Sequence, residues 1–191
     1  MNTFRTHPLP IVLFAFVAAW MPATVLASAP EPTASAALEG KRATDKVRLR
    51  VWGFEVYDAS LYTVTGFNAE QFADHRFGLE LSYLRSFKGN DIAQRSIDEM
   101  RGVTELTSVQ AEGWLKTMIG IFPDVQRGDR ITGVHVPGSG ARFYLNDRLL
   151  GDIADEAFSR SFFGIWLSPK TSQPRMRETL IGQSGGASRA P

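Results

Sequence analysis

The chain has 191 residues, 21 Lys and Arg against 20 Asp and Glu, a formal net charge of +1 and no cysteine. That length suits one domain with tails; the 43% hydrophobic share excludes a disordered chain, and the balanced charge excludes the basic stripe that nucleic acid needs. Without cysteine there are no disulfides, thiol nucleophiles, iron–sulfur clusters or thiolate zinc sites, and with three histidines no metal and no cofactor is expected.

Residues 1–27 read as a secretory signal. Arg5 supplies the positive start, and Leu9 to Trp20 is an apolar run of h-region length. Pro22 follows too soon for a membrane span. Small residues at Ala27 and Ala29 offer cleavage sites, and Pro30 favours the cut after Ala27. The competing reading is a retained N-terminal anchor. Cleavage would leave basic and acidic residues equal in number. The expected location is periplasmic or secreted, with no stable membrane span after signal removal. Residues 28–41, rich in Ala, Ser and Pro, read as a flexible lead-in. One domain spans 42–182, and 183–191 reads as a disordered tail.

Lys46 to Val64 alternates as strand, with Gly53 marking a bend or bulge. Val47, Leu49 and Val51 share one face; Arg48, Arg50 and Trp52 share the other. Phe54–Tyr62 is apolar on both faces, which predicts a central strand covered on both sides. Phe77–Leu84 is a further strand, with Phe77, Leu79, Leu81 and Tyr83 on one face. Residues 91–101 carry a helical stripe, Ile92, Ala93, Ile97 and Met100. Thr107-Ser-Val-Gln110 has the form of a capping box, opening a helix that Phe122-Pro123 closes. Residues 129–136 and 141–145 flank the turn 137–140 as a hairpin. Asn146-Asp147 is a second tight turn, before the short strand Leu149-Leu150. Residues 154–166 read as a helix with Phe158, Phe162, Phe163 and Trp166 on its apolar side, and a last short helix falls near 175–181. Strands, two helices, strands and helices in that order predict an α+β fold with an antiparallel sheet.

No phosphate-binding loop, dinucleotide fingerprint or zinc-protease motif occurs. Gly138-Ser139-Gly140 lacks the spacing of a nucleophile elbow and reads as a turn. His75 and His135 stand 60 residues apart, and His135 reads as a partly exposed strand residue. Asp155-Glu156 sits where a helix start favours negative charge. The more informative feature is Arg48 and Arg50 beside Trp52. On an inner face a guanidinium would need a carboxylate or an anionic ligand; on an outer face both point to water.

Four segments, Trp52-Gly-Phe-Glu-Val-Tyr-Asp-Ala-Ser-Leu-Tyr62, Leu79-Glu-Leu-Ser-Tyr-Leu-Arg85, Phe122-Pro-Asp-Val125 with Gly128-Asp-Arg130, and Phe158-Ser-Arg-Ser-Phe-Phe-Gly-Ile-Trp-Leu167, together resemble the bacterial chalcone isomerase-like proteins. The resemblance covers roughly 45–182. It implies a chalcone isomerase-like antiparallel sheet with helices packed on one face and a cleft between them, in a superfamily of plant flavonoid isomerases and non-catalytic fatty-acid-binding members. Carried across, the strand threonine of the plant isomerases falls at Tyr57, their helix tyrosine at Ile92, lysine at Arg95 and asparagine at Glu99. The late polar pair falls at Ser161-Phe162, and Arg48 or Arg50 is a candidate for the early arginine. Ile92 supplies no hydroxyl to stabilise an enolate, and Phe162 narrows the cleft.

The leading expectation is a non-catalytic cleft for a fatty-acid-like or other small amphipathic ligand. Arg48 or Arg50 with Tyr57 would hold the polar head, Arg95 and Ser161 would assist, and Phe162 and Trp114 would line the apolar part. One alternative is an intramolecular lyase or isomerase. Another is a structural protein whose cleft is filled by Phe158, Phe162 and Trp114.

Overall fold

The computed structural model describes residues 33–38 and 42–182. The signal segment 1–27 and the tail 183–191 lie outside the described residues. Within the segment read as a flexible lead-in, Thr33 caps a one-turn helix, α1 (Ala34–Ala37). Its buried Ala34 and Ala37 pack on Val134 and Tyr144, on the sheet face away from the other helices.

Short strand β1 (Arg42–Ala43) precedes β2 (Val47–Val51) and β3 (Phe54–Thr63). The single bent strand expected over 46–64 is two strands. Trp52 (φ 49°) and Gly53 (φ 83°) both lie in the left-handed region, as a two-residue hairpin turn requires. Val51 therefore pairs with Phe54. The ladder slips between Leu49 and Arg50, which face Tyr57 and Glu55, leaving Val56 as a bulge.

After a 3-10 turn (Ala69–Asp74) come β4 (Phe77–Tyr83), the helices α2 (Gly89–Val103) and α3 (Ser108–Ile121), and the strands β5 (Arg130–Val136), β6 (Gly140–Leu145) and β7 (Arg148–Ile153). Helices α4 (Glu156–Leu167) and α5 (Pro174–Leu180) follow. All pairings are antiparallel, in the order β1-β3-β4-β5-β6-β7, with β2 sharing the β3 edge with β1.

The helix boundaries follow from capping chemistry. Thr107 Oγ1 accepts from the Gln110 amide (3.2 Å) while the Gln110 side chain accepts from the Thr107 amide (3.1 Å), the reciprocal pair that the spacing predicts. Asp155 caps α4 by accepting from the Phe158 amide (2.9 Å), and its other oxygen accepts from Trp114 Nε1 (2.9 Å). One carboxylate thus starts α4 and ties α3 to it.

Helix α4 is buried on nearly every side, as suits a helix between a sheet and other helices. Phe163 meets Phe77 edge-on at 4.9 Å. Gly133 makes this approach possible: a Cβ there would lie 3.1 Å from the Phe163 ring. His135 is fully buried, where partial exposure was expected. It shares the helix-covered face of β5 with Ile131 and Gly133, opposite Phe77. Its ring nitrogens lie 2.7 Å from Ser159 Oγ and 2.8 Å from the Ala73 carbonyl.

Candidate functional site: a cleft between sheet and helices

Strands β2 to β4 on one side and α2 and α4 on the other enclose a cavity of about 680 Å³. Its wall is mainly apolar: Leu49, Val56 and Leu81 from the sheet, Ile92 from α2, Phe162 and Ile165 from α4. Strand alternation directs Leu49, Val51, Tyr57, Leu81 and Tyr83 inward. The bulge at Val56 lets two successive residues, Val56 and Tyr57, contribute to the same wall.

The polar groups are few. Tyr57 accepts a hydrogen bond from Trp166 Nε1 at 3.0 Å, and burial pushes its hydroxyl pKa upward. Tyr83 stands opposite Tyr57 across the β3–β4 ladder, with ring centroids 6.2 Å apart. Burial raises the Tyr83 pKa too, and among the described residues no group hydrogen-bonds its hydroxyl. Both phenols are therefore neutral donors in an apolar setting. Arg95 and Glu99, one turn apart on α2, form an ion pair at the wall, and Glu99 also accepts from Ser172 Oγ at 2.7 Å. Arg85, at the exposed mouth, lies 5.3 Å over the Phe54 ring and 5.9 Å over the Phe87 ring. Among the described residues it has no carboxylate partner.

The expected meeting of Arg48 or Arg50 with Tyr57 inside the cleft is corrected. Neither arginine lines the cavity. Alternation places them on the opposite face, where the bulge brings Glu55 and Asp58 to the same side. Arg48 donates to Asp58 (2.7 and 2.9 Å) and Glu55 (2.8 Å), and Arg50 to Glu55 (2.9 Å). The Arg48 guanidinium holds the Asp58 and Glu55 carboxyls below their usual range. Ser161 is also outside the cavity: it is buried, and its hydroxyl donates back to the Ala157 carbonyl at 2.8 Å.

Arg95, Tyr57 and Phe162 do line the cavity. Trp114 lies in the core, edge-on to Phe158 at 5.6 Å. The filled-cleft alternative fails because Trp114 and Phe158 pack beside the cavity rather than in it. Sequence reasoning missed Arg85, Tyr83 and Trp166 as site residues. Tyr83 was recoverable, since its inward face is that of Leu79 and Leu81. Among the described residues no group of acids and histidines could hold a metal ion.

The sequence profile of the chalcone isomerase-like family matches residues 46–182. The chain belongs to the chalcone isomerase-like family. An uncharacterized protein of Haemophilus influenzae is 31% identical over 134 residues, covering 70% of this chain and 64% of the relative. The chain therefore spans a little under two thirds of that curated relative's length. Among solved structures, a fatty-acid binding protein of Arabidopsis thaliana superposes with a TM-score of 0.60 at 11% identity, covering 76% of this chain and 88% of that one. At that identity the likeness is one of fold: the chalcone isomerase-like antiparallel sheet with its helices. The helix position carried across from the plant isomerases' tyrosine is Ile92, and it lies in the cavity wall. At that position this chalcone isomerase-like domain presents an apolar side chain to the cavity.

Proposed function

We propose that this domain is a non-catalytic binding module for a fatty-acid-like or other small amphipathic ligand, acting in the periplasm. The observation that carries the reading is the apolar cavity of about 680 Å³ with few polar handles. That volume falls within the roughly 300–1,000 Å³ of small-molecule sites. A ligand tail would occupy the space between Leu81 and Phe162. An anionic head would find its cation in Arg85, because Arg95 is held by Glu99 and Arg48 and Arg50 face away. The Tyr83 hydroxyl would donate to a neutral acceptor further in. The fold shared with a fatty-acid binding protein supports the reading; the periplasmic part rests on the composition of residues 1–27.

Thermal denaturation with saturated acids of twelve to eighteen carbons tests this. Ligand at a hundredfold excess over its dissociation constant stabilises by about 2.7 kcal/mol, so the midpoint should rise with concentration. Ile92→Trp, which fills the cavity from α2, should abolish the rise while leaving the protein folded. No shift with any acid overturns the ligand class.

A further inference from the structure

The β2–β3 turn carries the two exposed aromatic side chains of the described residues. Trp52 is 95% exposed and Phe54 61% exposed, and Val51 beside them is 36% exposed. The backbone makes this placement costly. Trp52 has φ 49°, a conformation that suits Asn, Asp or Gly and strains a residue with a bulky side chain. A large indole in water, on a strained turn, is opposed by both solvation and backbone. Folding therefore gives no reason for it.

Two further observations point to what covers it. Val51, Trp52 and Phe54 all border the mouth of the cavity. Arg85, which lacks a carboxylate partner among the described residues, stacks on Phe54 at that mouth. The tip is thus an apolar finger with a cation at its base. Indole rings favour the level of lipid headgroups, and an arginine alongside favours anionic ones.

We propose that the hairpin tip Val51–Phe54 docks on an anionic lipid bilayer surface, placing the cavity mouth against the membrane. Trp52 and Phe54 enter the headgroup region and Arg85 meets the phosphates. The inference goes beyond the ligand reading and does not require it, because docking needs no occupant in the cavity.

The test is flotation with vesicles of phosphatidylcholine, and of three parts phosphatidylcholine to one of phosphatidylglycerol. Wild type should bind the anionic vesicles more tightly. Trp52→Asn should weaken binding roughly tenfold or more, by loss of buried apolar surface, while its melting temperature stays level or rises, because Asn accepts the left-handed turn. Arg85→Gln should erase the preference for phosphatidylglycerol and keep the Trp52-dependent part. Ile92→Trp should bind vesicles as wild type does, which separates this surface from the ligand cavity. Absence of wild-type binding to both vesicles, or equal binding by Trp52→Asn, overturns the proposal. Self-association that Trp52→Asn abolishes, in place of vesicle binding, would assign the tip to a second copy of the chain and overturn it equally.

Discussion

Tyr57 and Trp166 come from elements far apart in sequence, and their hydrogen bond joins the sheet to α4 at the cavity wall. Tyr57→Phe leaves the indole N–H without its acceptor, a loss of about 1–3 kcal/mol for a buried donor. Urea denaturation should show that loss. The double variant Tyr57→Phe/Trp166→Phe should cost less than the two single changes added; full additivity would mean the bond contributes nothing. Arg85 calls for a different readout. If it meets an anionic head, Arg85→Gln weakens binding of a fatty acid by the ~1.5–3 kcal/mol scale of a charge-assisted contact. The primary alcohol of equal length should lose little. His135 acts through pH. Burial lowers its pKa in the folded protein, so the unfolded chain binds the proton first. Its contribution is complete above the unfolded value of about 6.5 and is lost as pH falls below it. Urea midpoints should decline between neutral and mildly acid pH, above the window in which the carboxylates paired with Arg48 titrate. A His135→Gln protein should show a flatter profile there.

At the scale of elements, caps and turns set what sequence could reveal. Thr107 and Gln110 are legible because a capping box is a local pattern, and Thr107→Ala should cost about 0.5–2 kcal/mol. Asp155→Ala should cost more by denaturant titration, since it strips partners from both the Phe158 amide and Trp114 Nε1. The Asn146-Asp147 turn was equally local, and both residues adopt positive φ. The β2–β3 hairpin was not legible. Its turn holds Trp where Asn or Gly is the usual first residue, so the alternating segments on either side of Gly53 read as one bent strand. The bulge at Val56 compounded this. A single extra residue sends Glu55 and Asp58 to the same side and supplies Arg48 with carboxylates that simple alternation would not place together. Alternation did separate Arg48 and Arg50 from Leu49; only tertiary packing decides which face the helices cover.

For the whole molecule, the α+β class, the antiparallel sheet and the family were readable from the order of segments. The cleft's contents were readable only in part. Tyr57, Arg95 and Phe162 reach it, but Arg85 and Tyr83 gain their meaning from one cavity that β4 and α2 build together. That cavity is the central claim: an apolar volume of about 680 Å³ left open between sheet and helices for a molecule with a long apolar part. Native mass spectrometry of the protein purified from the cells that make it naturally tests it most directly. The expected spectrum carries a mass increment matching a bound lipid or fatty acid, absent from Ile92→Trp. A protein that arrives bare, and stays bare after incubation with acids of twelve to eighteen carbons, would contradict the account.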